Sequence, residues 1–145
     1  MNKARRVLEV GMFTGTSTLA KAEIIPEGGK IVCLELEGYL KEWATPFFQK
    51  AGVEDKVDVM VGPAGDSIDT LAKQQCEKFD LIFIDADKTG NLGYYNKIME
   101  YDLLSSTGFI IIDNALMKGR VYTNELEGTS SSIWCTMATD SIHEC

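Results

Sequence analysis

Short apolar segments alternate with amphipathic segments along most of the chain. The apolar segments are rich in Val, Ile and Phe and are bounded by Gly, Asp or Pro, which is typical of strands buried on both faces of a parallel sheet. They predict five strands, at Arg6–Val10, Lys30–Glu35, Val57–Val61, Phe79–Ile84 and 108–113.

The segments between these strands carry apolar residues three and four positions apart, which is the spacing of one helix face. They predict helices at 17–25, 39–51, 65–77 and 92–104. The same spacing predicts that Trp43, Phe47 and Phe48 pack in the core. Alternating strands and helices favour an α/β fold with a doubly wound, mostly parallel sheet. Such a sheet binds ligands at the carboxyl ends of its strands, where the strand order reverses.

Length, charge and cysteine spacing limit the class of protein. The 145 residues fit one domain, and 22 acidic against 14 basic residues give a net charge of −8. Because nucleic acid and anionic membranes are bound by clustered Lys and Arg, neither is an expected partner. The sequence has no apolar segment of the roughly 20 residues that span a bilayer and no signal-peptide pattern, so we expect a soluble, cytoplasmic protein. Its four scattered cysteines suggest neither a zinc site nor a disulfide framework.

A glycine turn follows the first predicted strand, in the sequence V-L-E-V-G-M-F-T-G. Gly11 and Gly15 form G-x-x-x-G and not the G-x-G-x-x-G that binds a dinucleotide diphosphate, which disfavours a nicotinamide-dependent dehydrogenase. The carboxylate of Glu9 disfavours a phosphate and suits a cationic ligand such as S-adenosylmethionine. Taken alone, the motif is equally compatible with a turn that only connects a strand to a helix.

A second carboxylate, that of Glu35, ends the second predicted strand. It follows Gly11 at close to the roughly 20-residue spacing at which an acidic residue binds the ribose hydroxyls of a nucleotide. Glu37 is an alternative, although the alternation of the strand places it beyond the strand end and in solvent. Glu35 is therefore the predicted ribose ligand.

Polar residues follow the fourth and fifth predicted strands. Asp85, Asp113 and Asn114 should emerge at the same edge of the sheet. They supply an all-oxygen ligand set, which selects a hard divalent cation such as Mg²⁺, Ca²⁺ or Mn²⁺. Lys88 is close enough in sequence to Asp85 to act as a base there. Either aspartate alone is better explained as a turn cap, and only their joint placement favours a metal site.

These motifs together resemble the cation-dependent O-methyltransferases of the caffeoyl-CoA and catechol type. The resemblance covers about residues 6–121 and rests on the segments L-E-V-G-M-F-T-G-T-S, C-L-E-L-E, G-P-A, F-I-D-A-D-K and I-D-N. It implies a Rossmann-like fold of the class I S-adenosylmethionine-dependent type, with Lys88 as the catalytic base. It assigns S-adenosylmethionine to Glu9, Gly11, Ser17, Glu35, Ala64 and Asp85, and a divalent metal to Asp85, Asp113 and Asn114.

The resemblance also implies a small phenolic acceptor with vicinal hydroxyls, such as a catechol or a caffeoyl thioester, and suggests a homodimer. The family has a helical segment before its first strand and an antiparallel strand pair after its last helix, and residues 132–145 resemble the start of that helix. We therefore expect a partial family member whose fifth strand is an exposed apolar edge. A non-catalytic remnant that keeps the fold and at most weak cofactor binding is the alternative.

Overall fold

Five parallel strands form one sheet in the computed structural model, which describes residues 4–115. The strands are β1 (Arg6–Val10), β2 (Lys30–Glu35), β3 (Val57–Val61), β4 (Phe79–Ile84) and β5 (Leu104–Ile112). Their order across the sheet is β3-β2-β1-β4-β5, and every neighbouring pair is parallel. The predicted α/β class and doubly wound sheet are therefore confirmed, and residues 4–115 contain no antiparallel strand.

Four α-helices connect the strands within this part of the chain: α1 (Thr16–Ile24), α2 (Gly38–Lys50), α3 (Ala64–Lys73) and α4 (Asn91–Glu100), with a 3₁₀ turn at Glu54–Lys56 before β3. Apolar side chains of the sheet pack with α1 and α2 on one face and with α3 and α4 on the other. Within β1, Val7 belongs to the first of these cores and Leu8 to the second, since successive side chains of a strand point to opposite faces. Burial of both faces stabilises the centre of the sheet.

The strand order reverses at β1, which lies between β2 and β4. Val10 near the end of β1 is paired with Leu34 of β2 and with Ile84 of β4, so the three strands end at nearly the same level. The turns that follow β1 and β4 begin at Gly11 and Asp85, at the same edge of the sheet. Doubly wound sheets bind their ligands at this position.

Two helices and one strand differ from their predicted bounds by more than one residue. β5 begins at Leu104, earlier than the predicted residue 108, and α4 ends at Glu100 and not at residue 104. A left-handed φ of 53° at Asp102 ends α4 and turns the chain towards β5. In the same way α3 ends at Lys73 and not at residue 77, and Gln75 after it has a φ of 49°. Neither left-handed residue is a glycine, so the sequence carried no clear signal for these helix ends.

The two edge strands are less buried than predicted. Among residues 4–115, β3 and β5 each have a single neighbouring strand, and Phe109 and Ile111 of β5 are 71% and 50% exposed. The prediction that all five strands are buried on both faces is therefore wrong at the edges, whereas the predicted exposed edge at β5 is confirmed within these residues. Trp43 and Phe47 are also exposed, and of the three aromatic residues predicted in the core only Phe48 is buried.

Some predictions concern residues outside 4–115. The predicted start of a final helix at 132–145 and the end of the family resemblance near residue 121 lie there. All of the predicted site residues lie within 4–115. Of the helices in this range, none has the length and apolar character that crossing a membrane requires.

Candidate cofactor and metal site

A cavity of about 420 Å³ opens at the carboxyl ends of the strands, beside the position where the strand order reverses. Its walls come mainly from the turns that follow β1, β2, β3 and β4, with one residue of α4. Apolar side chains with a few convergent polar groups are typical of a small-molecule site. The lining residues are Gly11, Phe13, Leu34, Glu35, Leu36, Pro63, Ala64, Asp85, Ala86, Asp87 and Tyr94.

The glycine turn after β1 (residues 11–15) requires glycine at both of its ends. Gly11 has a φ of 94°, and a Cβ there would lie 2.4 Å from the carbonyl oxygen of Asp85. Gly15 has a φ of 81° and precedes α1, and a Cβ there would lie 2.8 Å from the Phe48 ring. Glycine is thus needed for backbone conformation and for space. Because glycine has no side chain, Gly11 allows the turn to contact the end of β4, and Gly15 allows the start of α1 to contact α2.

Glu35 lies at the end of β2 with only 7% of its surface exposed, and its carboxylate holds two turns together. Its Oε2 accepts a hydrogen bond of 2.7 Å from the Phe13 N–H, and its Oε1 accepts one of 3.0 Å from the Glu37 N–H. Each oxygen keeps a further lone pair that can accept a hydrogen bond from a ligand hydroxyl. Glu37, the alternative ribose ligand, is exposed and does not line the cavity.

Glu9 lies in β1, two residues before the glycine turn, and does not line the cavity. It is fully buried, and its carboxylate accepts hydrogen bonds from the hydroxyls of Ser17 and Thr18 and from Lys21 Nζ at 2.8 Å. The carboxylate therefore ties α1 to β1, and Glu9 can influence a ligand only through a residue such as Ser17, which is exposed on the first turn of α1. The predicted cofactor residues that do line the cavity are Gly11, Glu35, Ala64 and Asp85.

Lys21 neutralises the buried Glu9 carboxylate. Its ammonium nitrogen lies 2.8 Å from Glu9 Oε1 and 4.3 Å from the centre of the Phe83 ring, and its side chain is 17% exposed. The thiol of Cys33, on the neighbouring strand, lies 3.7 Å from Glu9 Oε2. Burial, together with the charge of Glu9, holds the pKa of the Cys33 thiol well above its ordinary value. This thiol is therefore un-ionised at neutral pH and chemically inert.

Asp85 and Asp113 lie at adjacent strand ends, as their positions in the sequence predict. The Asp113 N–H donates to the Ile84 carbonyl at 2.9 Å, which sets the end of β5 beside the end of β4. Lys88 Nζ lies 2.9 Å from Asp85 Oδ1 and 3.9 Å from Asp113 Oδ2. One ammonium group therefore lies between both carboxylates, at a site where the three side chains are 35% to 42% exposed.

This arrangement fits a divalent cation, because two carboxylates already converge on one positive group. Asn114 follows Asp113 directly, is exposed and has a φ of 56°, and its amide oxygen is the third predicted ligand. In the part of the chain that the structure describes, no group of three or more His, Cys, Asp or Glu side chains is placed to hold a metal ion. A metal at this edge would therefore depend on the Asn114 amide and on water in addition to the two aspartates.

Asp87 and Tyr94 also line the cavity, although sequence reasoning did not single them out. The Tyr94 hydroxyl donates to Asp87 Oδ1 at 2.6 Å. This hydrogen bond, ahead of those from Thr89 and Gly90, holds the pKa of the Asp87 carboxyl below its ordinary value. Burial and the nearby Asp87 carboxylate raise the pKa of Tyr94 to about 12. In the sequence, Asp87 is the second aspartate of D-A-D-K and Tyr94 is an aromatic residue seven positions later. These were the signals by which the two residues could have been found.

Comparison with known sequences identifies relatives over most of the chain. The profile of a family described as O-methyltransferase matches residues 1–139. Caffeoyl-CoA O-methyltransferase 1 of Eucalyptus globulus is 40% identical over 119 residues, which are 81% of this chain and 48% of that protein. Tricin synthase 1 of Oryza sativa subsp. japonica is 37% identical over 126 residues, which are 83% of this chain and 49% of that protein. The chain therefore spans about half the length of the curated relatives it matches.

Comparison with solved structures gives the same architecture. The O-methyltransferase TomG from Streptomyces achromogenes, in complex with SAM, superposes with a TM-score of 0.84 at 28% identity, over 99% of this chain and 63% of TomG. An O-methyltransferase from Bacillus cereus in complex with SAH superposes with a TM-score of 0.84 at 31% identity, over 99% of this chain and 64% of that one. Both proteins therefore have the α/β sheet described above.

Proposed function

Since this chain belongs to the O-methyltransferase family and has its Rossmann-like fold, we propose that it transfers a methyl group from S-adenosylmethionine to a phenolic hydroxyl. The acceptor is a small molecule with two vicinal hydroxyls, of the catechol or caffeoyl-CoA type, and the reaction depends on a divalent cation. The observation that carries the proposal is the convergence of Asp85, Asp113 and Lys88 at the edge of a cavity that Glu35 and Asp85 line.

The nucleoside part of the cofactor would lie between the turns that follow β1, β2 and β3. Glu35 can accept hydrogen bonds from the two ribose hydroxyls while keeping those that it accepts from the backbone. Leu36 and Ala64 supply the apolar surface that an adenine ring requires. Gly11 keeps the turn close to Asp85, which would border the cofactor on the other side.

The amino-acid end of the cofactor would lie at the start of α1. The residue before this helix is Gly15, and no side-chain hydrogen bond caps the helix, so its first N–H groups are available to a carboxylate. Ser17 is exposed on this turn, and because its hydroxyl donates its one proton to Glu9, its oxygen would accept a hydrogen bond from the ammonium group of the cofactor. Glu9 and Lys21 would not contact the cofactor; their ion pair holds α1 against β1 and so fixes the position of this helix start.

Asp85, Asp113 and Asn114 would hold the divalent cation, for which Mg²⁺ is the first choice because the donors are all oxygens. The cation, when bound, would lower the pKa of a chelated phenolic hydroxyl and so make it a nucleophile near neutral pH. The residues of the chain would bring the acceptor oxygen and the sulfonium methyl group together. Such positioning supplies much of the rate of a direct displacement.

Lys88 would accept the proton that the acceptor hydroxyl loses. In the structure its ammonium group pairs with the two aspartates that would hold the cation. Lys88 therefore competes with the cation for the same carboxylates. When the cation occupies them, its like charge would favour release of a proton from the Lys88 ammonium group to water, and the neutral amine could then act as the general base.

The first experiment is calorimetric titration of S-adenosylmethionine into the full chain, for which we expect saturable one-to-one binding. Methyl transfer is then measured with caffeoyl-CoA and with catechol, in Mg²⁺ and in excess chelator. The matched control is an acceptor in which one of the two vicinal hydroxyls is already methylated. We expect turnover only with Mg²⁺ and only with both hydroxyls free.

Each result of these assays supports or contradicts a separate part of the proposal. Turnover that persists in chelator contradicts the metal requirement, and methylation of the control acceptor contradicts the vicinal specificity. A folded chain that binds no S-adenosylmethionine contradicts the cofactor assignment. Cofactor binding without turnover on any acceptor would favour a non-catalytic protein that keeps only the fold and the cofactor site.

A further inference from the structure

Helix α2 carries a row of exposed aromatic residues. Tyr39, Trp43 and Phe47 follow one another at intervals of four residues, which places them along one side of the helix. Each of the three is between 50% and 63% exposed. The rings of Trp43 and Phe47 form a tilted pair with centroids 6.1 Å apart. We call these three residues the aromatic stripe of α2.

The aromatic stripe belongs neither to the core nor to the cavity. The helix packs on the sheet through its buried residues Leu40, Ala44 and Phe48, and the stripe lies beside them in contact with solvent. None of the three stripe residues lines the cavity. Adjacent exposed aromatic residues mark interaction surfaces, in which Trp and Tyr are enriched. The stripe therefore indicates a partner that the site described above does not require.

Pro46 lies inside α2 and extends this surface. It is exposed, and it follows Trp43 by three residues, so it lies on the same side of the helix. A proline within a helix has no N–H to donate to the carbonyl four residues before it, which costs about 3 kcal/mol. Its rigid ring loses no side-chain freedom when a partner covers it. Such a ring benefits an interface more than a surface that contacts only water.

The order of residues along the stripe fits a second copy of the same helix. Trp43 is the central residue, and Tyr39 and Phe47 lie four residues to either side of it. We propose that the stripe forms the interface of a homodimer in which two copies of α2 lie antiparallel, with the two-fold axis at Trp43. Each Trp43 then contacts the other, and each Tyr39 contacts the Phe47 of the second copy. A two-fold interface requires this kind of self-complementary surface.

The charges at the two ends of α2 favour the antiparallel arrangement. Lys50 is the last residue of the helix, Glu37 directly precedes its first residue, and both are exposed. In an antiparallel pair each Lys50 lies close to the Glu37 of the other copy. The positive end of each helix dipole also lies beside the negative end of the other. A parallel pair would bring like charges and like dipole ends together.

The size of the surface predicts a weak dimer. Because a fully buried aromatic side chain covers about 150–250 Å², the three exposed ones offer on the order of 300–400 Å² per copy. With a polar rim of similar size, the interface would bury about 1,200–1,600 Å² over both copies, in the lower part of the range of specific interfaces. We therefore expect a dissociation constant in the micromolar range.

Sedimentation equilibrium of the full chain, from about 1 to 200 μM, tests the proposal. We expect a monomer–dimer equilibrium in the wild type. Trp43→Glu places two like charges at the axis and should weaken the dimer more than about 100-fold. Since Trp43 is exposed, this variant should keep the wild-type circular dichroism spectrum. Met99→Glu is the matched control, because Met99 is an exposed apolar residue of α4, and it should dimerise as the wild type does.

Charge pairing across the axis tests the antiparallel arrangement itself. Trp43→Lys should be monomeric alone, for the same reason as Trp43→Glu, whereas an equal mixture of the two variants should form a heterodimer. Lys50→Glu and Glu37→Lys should each weaken the dimer, and the variant that carries both changes should recover it. These variants keep the same exposed helix, so a general loss of stability would not produce this pattern of recovery.

Several results would overturn the proposal. They are a wild-type chain that stays monomeric at the highest concentration, and a Trp43→Glu variant that dimerises as the wild type does. A dimer that is lost in Phe109→Glu and kept in Trp43→Glu would place the interface at the exposed edge strand β5 instead. A mixture of Trp43→Glu and Trp43→Lys that stays monomeric would exclude the pairing at Trp43. None of these readouts depends on cofactor binding or turnover, so their failure leaves the proposed function intact.

Discussion

Glu35 Oε2 accepts a hydrogen bond of 2.7 Å from the backbone N–H of Phe13, which joins the end of β2 to the glycine turn after β1. Phe13 has a left-handed φ of 52°, a conformation that a bulky residue adopts only when its surroundings hold it there. The carboxylate proposed to bind the ribose therefore also shapes the turn beside it. A substitution at Glu35 should therefore alter both the binding of the ribose and the conformation of the glycine turn.

Glu35→Gln should weaken S-adenosylmethionine binding on the order of tenfold, and Glu35→Ala should weaken it further. The amide of glutamine has a single acceptor oxygen, so one of the two backbone N–H groups now bound to Glu35 would face an NH₂ donor. Calorimetry at neutral pH measures the affinity. Glu37→Gln is the matched control and should bind normally, because only the backbone N–H of Glu37 takes part in this arrangement. Wild-type affinity in Glu35→Gln would refute the ribose role.

Asp113→Ala should abolish most of the Mg²⁺-dependent turnover while largely sparing cofactor affinity. Asp113 does not line the cavity, but its carboxylate lies beside that of Asp85 around the Lys88 ammonium group. We expect a loss of rate on the order of 100-fold, since a catalytic cation stabilises the transition state by several kcal/mol. Initial rates against Mg²⁺ concentration measure the effect, and Asp58→Ala, at an exposed position of β3, is the control. Equal turnover in wild type and Asp113→Ala contradicts the metal assignment.

Lys88→Met should tighten divalent-cation binding while lowering turnover. It removes a positive charge that lies 2.9 Å from one proposed ligand and 3.9 Å from another, and so removes a competitor of the cation. Because the site is more than one third exposed, we expect a gain of only about three- to tenfold in Mn²⁺ affinity, measured by paramagnetic resonance. Lys50→Met, at an exposed position near the end of α2, should change neither quantity. Weaker Mn²⁺ binding in Lys88→Met would contradict the competition.

Most of the sheet, and the placement of Asp85 and Asp113 at its edge, could be predicted from the sequence. The first four strands are short apolar segments followed by turn residues, and their predicted bounds agree with the structure. Asp85 and Asp113 could be predicted as neighbours because the ends of parallel strands meet at one edge. The C-terminal ends of α3 and α4 could not be predicted, because Gln75 and Asp102 adopt a left-handed φ although neither is a glycine.

Contacts between a helix and the strand or loop beside it could not be predicted from spacing. A motif identifies the Glu9 carboxylate, but its pairing with Lys21 depends on how α1 lies across β1. The contact of Asp87 with Tyr94 depends in the same way on the angle at which α4 leaves its loop. Such contacts are set by tertiary packing, which overrides local preference.

Lys21→Met should destabilise the fold by about 3 kcal/mol, because it leaves the fully buried Glu9 carboxylate without its positive partner. Glu9→Gln should be milder, at about 2 kcal/mol, since the Lys21 side chain is partly exposed and can reach water. The double variant should be less destabilised than the sum of the two. Urea denaturation measures the free energies of unfolding.

An exposed ion pair provides the control for these variants. The Lys78 side chain is 47% exposed and pairs with Asp102, and Lys78→Met should change the free energy of unfolding by less than about 1 kcal/mol. If Lys21→Met lowers the free energy of unfolding no more than Lys78→Met does, the buried pair of Glu9 and Lys21 is not what holds α1 against β1.

Asp80 should make the stability of the fold depend on pH in the acid range. Its carboxylate accepts hydrogen bonds from the N–H groups of Arg5 and Arg6 at 2.8 and 3.1 Å and from the Ser105 hydroxyl at 3.3 Å. These bonds, that from Arg5 first, hold the pKa of the Asp80 carboxyl below its ordinary value of 3.8. Because the folded pKa is lower than the unfolded one, the stabilisation is fully present above pH 3.8 and is lost as the pH falls through the folded pKa.

Asp80→Asn should therefore lower the free energy of unfolding by about 1 kcal/mol at pH 7, and the difference from wild type should shrink towards zero as the pH falls below 3.8. The amide keeps the shape and one acceptor oxygen of the side chain but loses the charge that strengthens the hydrogen bonds. Urea denaturation at pH 7, 5 and 3 measures the difference, and Asp58→Asn, at an exposed position of β3, should show little dependence on pH. A difference between Asp80→Asn and wild type that stays constant from pH 7 to pH 3 would mean that the negative charge of Asp80 does not stabilise the start of β1.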